Sequence, residues 1–366
     1  MIRPIPKTAA IVEQGMTDGL HIGAQIFASI NGDIAVDAAF GHARDGVRMT
    51  PDHLMLWLSS SKPIAAVAIG QLWERSRLDL DDRVAAHIPE FAQRGKENIA
   101  IRHILTHTCG FRGAALTWTP ESWEQVLAKI FATRIEPDWI PGKKAGYHSA
   151  GSWYVLGELV RRIDGRTFED YVREEILLPL EMNDSWLAMP AEKYRQYGSR
   201  FGLMHDTSGE KPMAYFLTDT EVGVVHCRPG GSGHGPIREL GFFYEMILGK
   251  GQRGGRRILL PQTVEALTAR HRCGMFDQTF KHTMDWSLGF IPDNNMYGVD
   301  TVPYPYGRHS SPRTVGHSGH QSSTGFCDPE HGLAVGIVFN GCPGDAKHLS
   351  RIQATTAALY EDLGLT

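Results

Sequence analysis

Two runs of strand-forming sequence stand at opposite ends of the chain, and they constrain its fold more than any other feature. Gln25–Ser29 and Asp33–Phe40 flank an Asn-Gly dipeptide, which is typical of a two-residue β-hairpin. Ser322–Cys327 and Leu333–Asn340 flank a second turn-rich stretch near the other end. The sequence therefore predicts one hairpin from each end of the chain.

The sequence between the two hairpins is mainly helical. Apolar residues recur there at helical spacing over Pro63–Arg75, Ile101–His107, Pro120–Ala132, Gly151–Ile163, Phe168–Ile176, Arg238–Leu248 and Pro261–Ala269. Another helix is predicted over Ala346–Leu363. The pattern predicts an α/β (α+β) fold: a discontinuous sheet domain from residues 1–62 and 286–366, a mainly helical domain from 63–285, and the functional site between them.

Composition narrows the class of partner. The 366 residues include 37 Lys and Arg against 41 Asp and Glu, a formal net charge of -4. No global charge recruits nucleic acid or an anionic membrane, so we expect a small-molecule partner. The five cysteines form no CxxC pair, which argues against a zinc site or a disulfide framework. The first residues lack the apolar run of a secretory signal, so a cytoplasmic location is expected.

A cluster of three serines precedes the first long helical pattern and ends at Lys62 and Pro63. Ser59 and Lys62 are three residues apart, which places a hydroxyl and an amine on one face of a first helical turn. The positive end of the helix favours a developing alkoxide and lowers the lysine pKa, so Ser59 is a candidate nucleophile. The plainer interpretation is that these serines only cap the helix.

Two further segments carry candidate chemistry. Tyr147 lies in a glycine-flanked loop that enters a helix, and a phenol beside a lysine ammonium is drawn toward phenolate and can relay a proton. Gly319 lies in the segment Gly316–His320, where the small residue lets a strand edge approach a substrate and present a backbone N–H. Alternatively, Tyr147 is a packed core residue and Gly319 belongs to an ordinary turn.

These residues together resemble the serine β-lactamase-like group, which includes class C β-lactamases, D-Ala-D-Ala carboxypeptidases and the β-lactamase-fold carboxylesterases. The likeness spans nearly the whole chain and keeps the family's motif order. The segments that carry it are Ser59-x-x-Lys62, Leu78–Asp82, Ile101–Gly110, Tyr147-x-Ser149, Gly230–Gly233 and His317-Ser318-Gly319.

The resemblance implies a role for each matching residue. Ser59 would be acylated, Lys62 and Tyr147 would move its proton, and the backbone N–H groups of Ser59 and His320 would hold the oxyanion. No cofactor and no metal are implied. Ser149, His317, Ser318 and Gly319 would contact substrate; Trp118 either walls an acyl pocket or packs in the core.

Two departures from the family pattern narrow the predicted substrate. His317 stands where lactamases have the lysine of a KTG motif, and Ser149 stands where class C enzymes have asparagine. Because neutral histidine binds a carboxylate less well than lysine does, the sequence favours an esterase over a penicillin-hydrolysing enzyme. The alternatives are a β-lactamase, a D-Ala-D-Ala carboxypeptidase or D-aminopeptidase, and an inactive member that serves as a binding or scaffold module.

Two other motifs are set aside. His103 and His107 are four residues apart on a predicted helix, as zinc ligands can be, but Ile104 occupies the position of the glutamate in an HExxH motif. Gly249–Gly254 satisfies GxGxxG but follows a helix instead of a strand, so we expect a surface turn. Neither motif predicts a cofactor.

Overall fold

A large antiparallel sheet runs through the computed structural model, which describes residues 2–114, 116, 121–214 and 217–366. In chain order the strands are β1 (Gly23–Ile30), β2 (Asp33–Arg44), β3 (Val47–Arg48), β4 (Met55–Leu56), β5 (His205–Asp206), β6 (Met213–Ala214), β7 (His234–Gly235), β8 (Gln252–Arg253), β9 (Arg256–Arg257), β10 (Arg272–Asp277), β11 (His282–Trp286), β12 (Ile291–Pro292), β13 (Val315–Ser318), β14 (Ser323–Asp328), β15 (Leu333–Phe339) and β16 (Gly341–Cys342). The large sheet has the order β12-β13-β14-β15-β1-β2-β3.

Helices pack around this sheet and fill the middle of the chain. They are α1 (Pro6–Thr17), α2 (Lys62–Glu74), α3 (Val84–His87), α4 (Ile101–Leu105), α5 (Trp123–Ala132), α6 (Gly151–Asp164), α7 (Phe168–Val172), α8 (Ala191–Tyr197), α9 (Glu221–Val224), α10 (Ile237–Leu248), α11 (Pro261–Thr268) and α12 (Asp345–Leu363). None of those formed by the described residues is long and apolar enough to cross a membrane.

The two predicted hairpins lie side by side at the centre of the sheet. Strand β1 pairs with β2 on one side and with β15 on the other, so Ala24 lies opposite Phe339. Asn31 and Gly32 both have positive φ, 52° and 85°, as a type I′ turn requires. The fold class and both hairpins are therefore confirmed, and the sheet joins the two ends of the chain.

Successive side chains of β1 enter two different cores. Ile26 packs with α12 residues on one face of the sheet, whereas Phe27 packs with helix α10 on the other. Helix α10 approaches closely because a Cβ at Gly241 would stand only 2.1 Å from Cδ1 of Phe27. On the other face α1 packs on α12, and Asp362 accepts hydrogen bonds from the backbone and hydroxyl of Thr8. Helices thus cover both faces.

Helix α2 is the central helix of the helical region. Its residues from Lys62 to Leu72 are all buried, and α6, α7 and α11 pack against it. A helix apolar on every side needs such complete cover. Its N-terminus meets the sheet at β13 and β14, and this junction positions the candidate site. The division into domains at residues 62 and 285 stays a prediction.

Candidate active site

The candidate nucleophile lies on a tight turn at the entrance to α2. Residues Leu58–Ser61 form one turn of 3-10 helix, and Lys62 begins the α-helix. Leu58 has a positive φ of 50°, which is uncommon for a residue with a side chain and marks local strain. Ser59 is half-buried and faces a cavity, so its hydroxyl is accessible to a small molecule.

The other two serines of the cluster hold this turn in place. Ser60 Oγ lies 2.9 Å from Ser323 Oγ, and Ser61 Oγ donates to the carbonyl of Leu58 at 2.7 Å. Ser61 Oγ also accepts the N–H of Gly233 at 3.0 Å. Both hydroxyls are fully buried, so only the first serine of the cluster is placed for chemistry.

The Lys62 side chain is buried against the turn and makes three short contacts. Its Nζ lies 3.0 Å from Ser59 Oγ, 2.8 Å from the carbonyl of Ser149 and 2.7 Å from the carbonyl of Gly230. Burial holds the pKa of Lys62 well below its usual value of 10.5. The sequence predicted this direction but attributed it to the helix dipole; in the structure the cause is burial.

Tyr147 contacts the Ser59 hydroxyl from the loop that precedes α6. Its phenol donates to Ser59 Oγ at 2.8 Å. The backbone N–H of Tyr147 is held by Asp277 Oδ1 at 3.1 Å, and its carbonyl accepts the Thr279 hydroxyl at 3.0 Å. The next N–H, that of His148, donates to His107 Nδ1 at 3.0 Å. The peptide groups around the phenol are thus fixed on both sides.

The ionisation of Tyr147 differs from the sequence expectation. Burial raises the pKa of the phenol well above 10, and the nearby Tyr304 raises it further. The phenol was expected to be drawn toward phenolate by the lysine; burial of both groups opposes that charge separation. The resting pair is therefore a neutral phenol beside a lysine that is easily deprotonated.

Two residues that line the cavity carry the N–H groups that the sequence predicts as oxyanion donors. The N–H groups of Ser59 and His320 make no hydrogen bond to any residue that the structure describes, and both residues line the cavity. Gly319 sets the approach, because a Cβ there would stand 2.4 Å from the Trp57 carbonyl and 3.0 Å from Leu58 Cβ. Only glycine lets this strand end lie so close to the Ser59 turn.

The site opens into a cavity of about 270 Å³. Its lining residues, among those described, are Leu58, Ser59, Tyr147, Ser149, Ala150, Tyr154, Arg228, Gly230, Gly231, Tyr304 and His320. The candidate nucleophile, the phenol and the two residues predicted to supply oxyanion donors therefore line one space, large enough for a small ester or amide.

Three predicted substrate contacts do not line this cavity, although one of them, Ser318, lines the neighbouring cavity, and a fourth lies outside the described residues. His317 is fully buried, its Nδ1–H donates to the Ser318 carbonyl, and its ring centroid lies 6.2 Å from that of Tyr147. Burial lowers the pKa of His317 to about 3, so the ring is neutral. His317, Ser318 and Gly319 are not among the described residues that line the cavity. Trp118 falls in the part of the chain that is not described.

Several residues at the site carry no motif of their own in the sequence. Tyr154, Arg228 and Tyr304 reach the cavity from distant segments. Gly230 was noted in a glycine-rich run, and the structure gives the reason for the glycine: a Cβ there would stand 3.1 Å from Lys62 Nζ. The Gly230 carbonyl accepts a hydrogen bond from Lys62 Nζ at 2.7 Å. A glycine-rich run can therefore mark a place where the backbone lies against a buried lysine.

A family model for β-lactamase matches residues 8–359, nearly the whole chain. The chain belongs to the β-lactamase family. Members of this family are serine hydrolases, and their fold is the mixed α/β arrangement seen here. Of the three residues identified from the sequence, Ser59 and Tyr147 line the cavity, and the buried Lys62 contacts Ser59 Oγ.

Several relatives in the β-lactamase family cover the chain almost completely. A penicillin-binding protein homologue from Caulobacter crescentus is 26% identical, with a TM-score of 0.78 over 98% of this chain and 99% of that one. A family VIII carboxylesterase is 25% identical, with a TM-score of 0.77 over 97% and 98%. The esterase/beta-lactamase LipL of Mycobacterium tuberculosis is 25% identical over 92% of this chain and 81% of its own. The family resemblance predicted from the motifs is confirmed.

Proposed function

We propose that this protein hydrolyses carboxylic esters of small molecules through an acyl-enzyme formed on Ser59. The observation that carries the proposal is the meeting of three groups: Ser59 Oγ lies 3.0 Å from Lys62 Nζ and 2.8 Å from the Tyr147 phenol, at the wall of a cavity. A nucleophile within hydrogen-bond reach of a base and an acid is the arrangement that acyl transfer needs.

Lys62 is the base that takes the proton from Ser59. A neutral amine keeps two N–H groups and one lone pair. The carbonyls of Ser149 and Gly230 accept the two N–H groups, so the lone pair is left facing Ser59 Oγ. The lowered pKa of Lys62 supports this neutral form at rest. The serine hydroxyl then donates to the amine, and its oxygen attacks the ester carbonyl.

Tyr147 supplies the proton that the leaving alcohol requires. Attack forms the bond between Ser59 Oγ and the carbonyl carbon, and the backbone N–H groups of Ser59 and His320 receive the developing oxyanion. When the carbon–oxygen bond to the alcohol breaks, the phenol protonates the departing oxygen. The Lys62 ammonium, 5.2 Å from the Tyr147 ring centroid, stabilises the phenolate that results. That phenolate then takes a proton from water, whose oxygen attacks the acyl carbon. The bond from this carbon to Ser59 Oγ breaks, and the Lys62 ammonium returns its proton to the serine oxygen.

The neutral site behind the tyrosine supports an ester as substrate. His317 carries no charge near neutral pH, because burial lowers its pKa to about 3, so the position gives no cation for a penicillin carboxylate. The likeness to a family VIII carboxylesterase supports the same substrate class. A second candidate is hydrolysis of an anionic amide or β-lactam, since the Arg228 side chain lines the cavity.

The test compares p-nitrophenyl butyrate with a chromogenic cephalosporin. We expect kcat/KM for the ester to exceed that for the lactam by orders of magnitude, and Ser59→Ala to abolish both. Ser208→Ala, a change at an exposed serine bonded to Asp206, is the matched control and keeps full activity. A higher kcat/KM for the cephalosporin would replace the ester proposal by the lactam one. Failure to turn over either substrate, or to react with an active-site phosphonate, would support the inactive scaffold instead.

A further inference from the structure

A second cavity adjoins the reaction cavity. It has a volume of about 380 Å³ and shares Tyr304 and His320 with the first. The remaining wall is mostly apolar and comes from the 280 and 300 segments, from Ser318 and Gln321, and from the first turns of α12. Because two residues belong to both walls, the second cavity lies directly beside the reaction cavity.

The geometry of proton delivery selects which part of the substrate extends there. The Tyr147 phenol must stand beside the departing oxygen, so the alcohol portion lies on the side of Tyr147. The rings of Phe280 and Tyr304 pack against Tyr147 with centroids at 4.9 Å and 6.3 Å, and both rings line the second cavity. The alcohol portion is therefore directed toward this cavity.

Tyr304, which lines both cavities, has a restricted backbone. Tyr304 lies between Pro303 and Pro305, whose rings restrict the backbone. Its φ is 57°, a conformation that a residue with a bulky side chain adopts rarely and that marks functional segments. A strained tyrosine at the boundary of two cavities is consistent with a role in recognition.

The second cavity has the chemistry of a site for a cation. The Phe280 and Tyr304 rings meet edge to face at 5.2 Å and present aromatic surface. Asp345 lies exposed at the same wall; one carboxylate oxygen accepts the Gln321 amide at 2.7 Å, and the other has no hydrogen-bond partner among the described residues. Its charge reaches the ring, since Asp345 adds to the effect of burial in raising the pKa of Tyr304. His348 in the same wall is neutral, because burial lowers its pKa.

We infer that the second cavity binds the alcohol portion of the ester and favours alcohols that carry a quaternary or protonated amine. This inference rests on the proposed ester hydrolysis and names its substrate class. Aromatic faces and a carboxylate attract such a group together, and the pair is expected to favour it roughly three- to tenfold over a neutral group of the same shape.

The test uses esters that differ in charge but not in shape. Butyrylcholine and 3,3-dimethylbutyl butyrate share an acyl group and differ only in a quaternary nitrogen or carbon. We expect kcat/KM to be higher for butyrylcholine than for 3,3-dimethylbutyl butyrate. Asp345→Asn should reduce the ratio of these two kcat/KM values toward one. Asp18→Asn is the matched control: Asp18 is an exposed carboxylate that also accepts a glutamine amide, that of Gln14, at 2.8 Å. This variant keeps the wild-type ratio.

A second pair of esters places the charge on the acyl side. Methyl 4-(trimethylammonio)butyrate and methyl 5,5-dimethylhexanoate should be turned over with a ratio near one. Equal turnover of the first pair, a ratio that Asp345→Asn leaves unchanged, or a preference confined to the acyl-side pair would each overturn the inference. These results leave ester hydrolysis standing. If none of the four esters is hydrolysed and the active-site phosphonate does not label Ser59, the proposed function itself is rejected.

Discussion

At the scale of single residues, the site depends on how one buried lysine distributes its hydrogen bonds. Lys62 is fully buried and forms no ion pair with a carboxylate of the described residues; it contacts two carbonyls and the Ser59 hydroxyl. A buried ammonium without a counter-charge is costly, so the site favours the neutral amine. Because burial lowers the pKa of Lys62, its amine can accept a proton from Ser59.

This argument predicts the effect of Lys62→Arg. Because a guanidinium stays protonated, the variant places a permanent positive charge beside Ser59 and cannot accept the serine proton. We expect kcat to fall by about 10²-fold or more, as for loss of a general base. Steady-state kinetics with p-nitrophenyl butyrate measure it, with Lys143→Arg at an exposed position as control. Near-normal kcat in the Lys62→Arg variant would show that Lys62 contributes only its charge.

The residues found from the sequence are those whose chemistry depends on spacing. Ser59 and Lys62 are three positions apart, so one helical turn brings them together wherever the chain folds. Tyr147 required the family resemblance, since no local rule joins it to a serine 88 positions away. Tyr304 and Arg228 were not predicted, because only tertiary packing carries them to the cavity.

At the scale of elements, the two-stranded ribbon of β10 and β11 fixes the segment that carries Tyr147. Asp277 ends β10, and its Oδ1 accepts the N–H groups of Tyr147, Thr279 and Phe280 at 3.1, 2.9 and 3.0 Å. Its other oxygen accepts Arg272 Nη2 at 3.0 Å, and both charged groups are buried. One carboxylate therefore joins the ribbon to the segment that carries the phenol.

Asp277→Asn is expected to destabilise the protein strongly. The change leaves the Arg272 guanidinium buried without its counter-charge, which costs about 3–5 kcal/mol of the free energy of unfolding. Glu221→Gln, which breaks the exposed pair of Glu221 with Arg195, should cost less than about 1 kcal/mol. Urea unfolding measures both. Adding Arg272→Met to Asp277→Asn should recover part of the loss; equal small costs for the two single changes would contradict this account.

Elements with a strong local pattern were predicted well, and short or atypical ones were not. The hairpins and α12 agree with the expected ranges within two residues, except that β2 continues four residues beyond the predicted end at Phe40. Helix α1 was not predicted, because it is stabilised by packing on α12, through contacts such as Thr8 with Asp362. Strand β10 lacks an alternating pattern, since it pairs with a single neighbouring strand outside the large sheet.

At the scale of the whole molecule, buried histidines set the response to acid. Burial lowers the pKa of His21, His148 and His317 to about 3, and lowers those of His107 and His348 as well. Below pH 6.5, the ordinary histidine value, the unfolded chain binds protons that the folded chain does not. The free energy of unfolding therefore falls as the pH drops through 6.5 toward 3.

Acid should destabilise the protein well before its carboxylates titrate. Glu239 acts in the opposite direction: burial raises its pKa to about 7, so its contribution is present below its usual 4.5 and is lost as the pH rises toward 7. Burial also raises the pKa of Glu169 and Asp293, which act in the same direction as Glu239. We expect the five buried histidines to outweigh these three carboxylates. We expect the urea midpoint to be clearly lower at about pH 5 than at about pH 7.5. An unchanged or higher midpoint at the lower pH would mean that these histidines are accessible to protons in the folded state.

The central claim, that Ser59 is acylated with Lys62 and Tyr147 moving its proton, is tested most directly by intact-mass measurement of acid-quenched reactions with p-nitrophenyl butyrate. The wild-type protein should carry one butyryl group, mapped by peptide mass to Ser59, during turnover. Tyr147→Phe should retain that adduct for longer, because the phenolate that activates water is missing, and Ser59→Ala should not form it. Ester turnover by Ser59→Ala, or a butyryl group located on any other residue, would contradict the account.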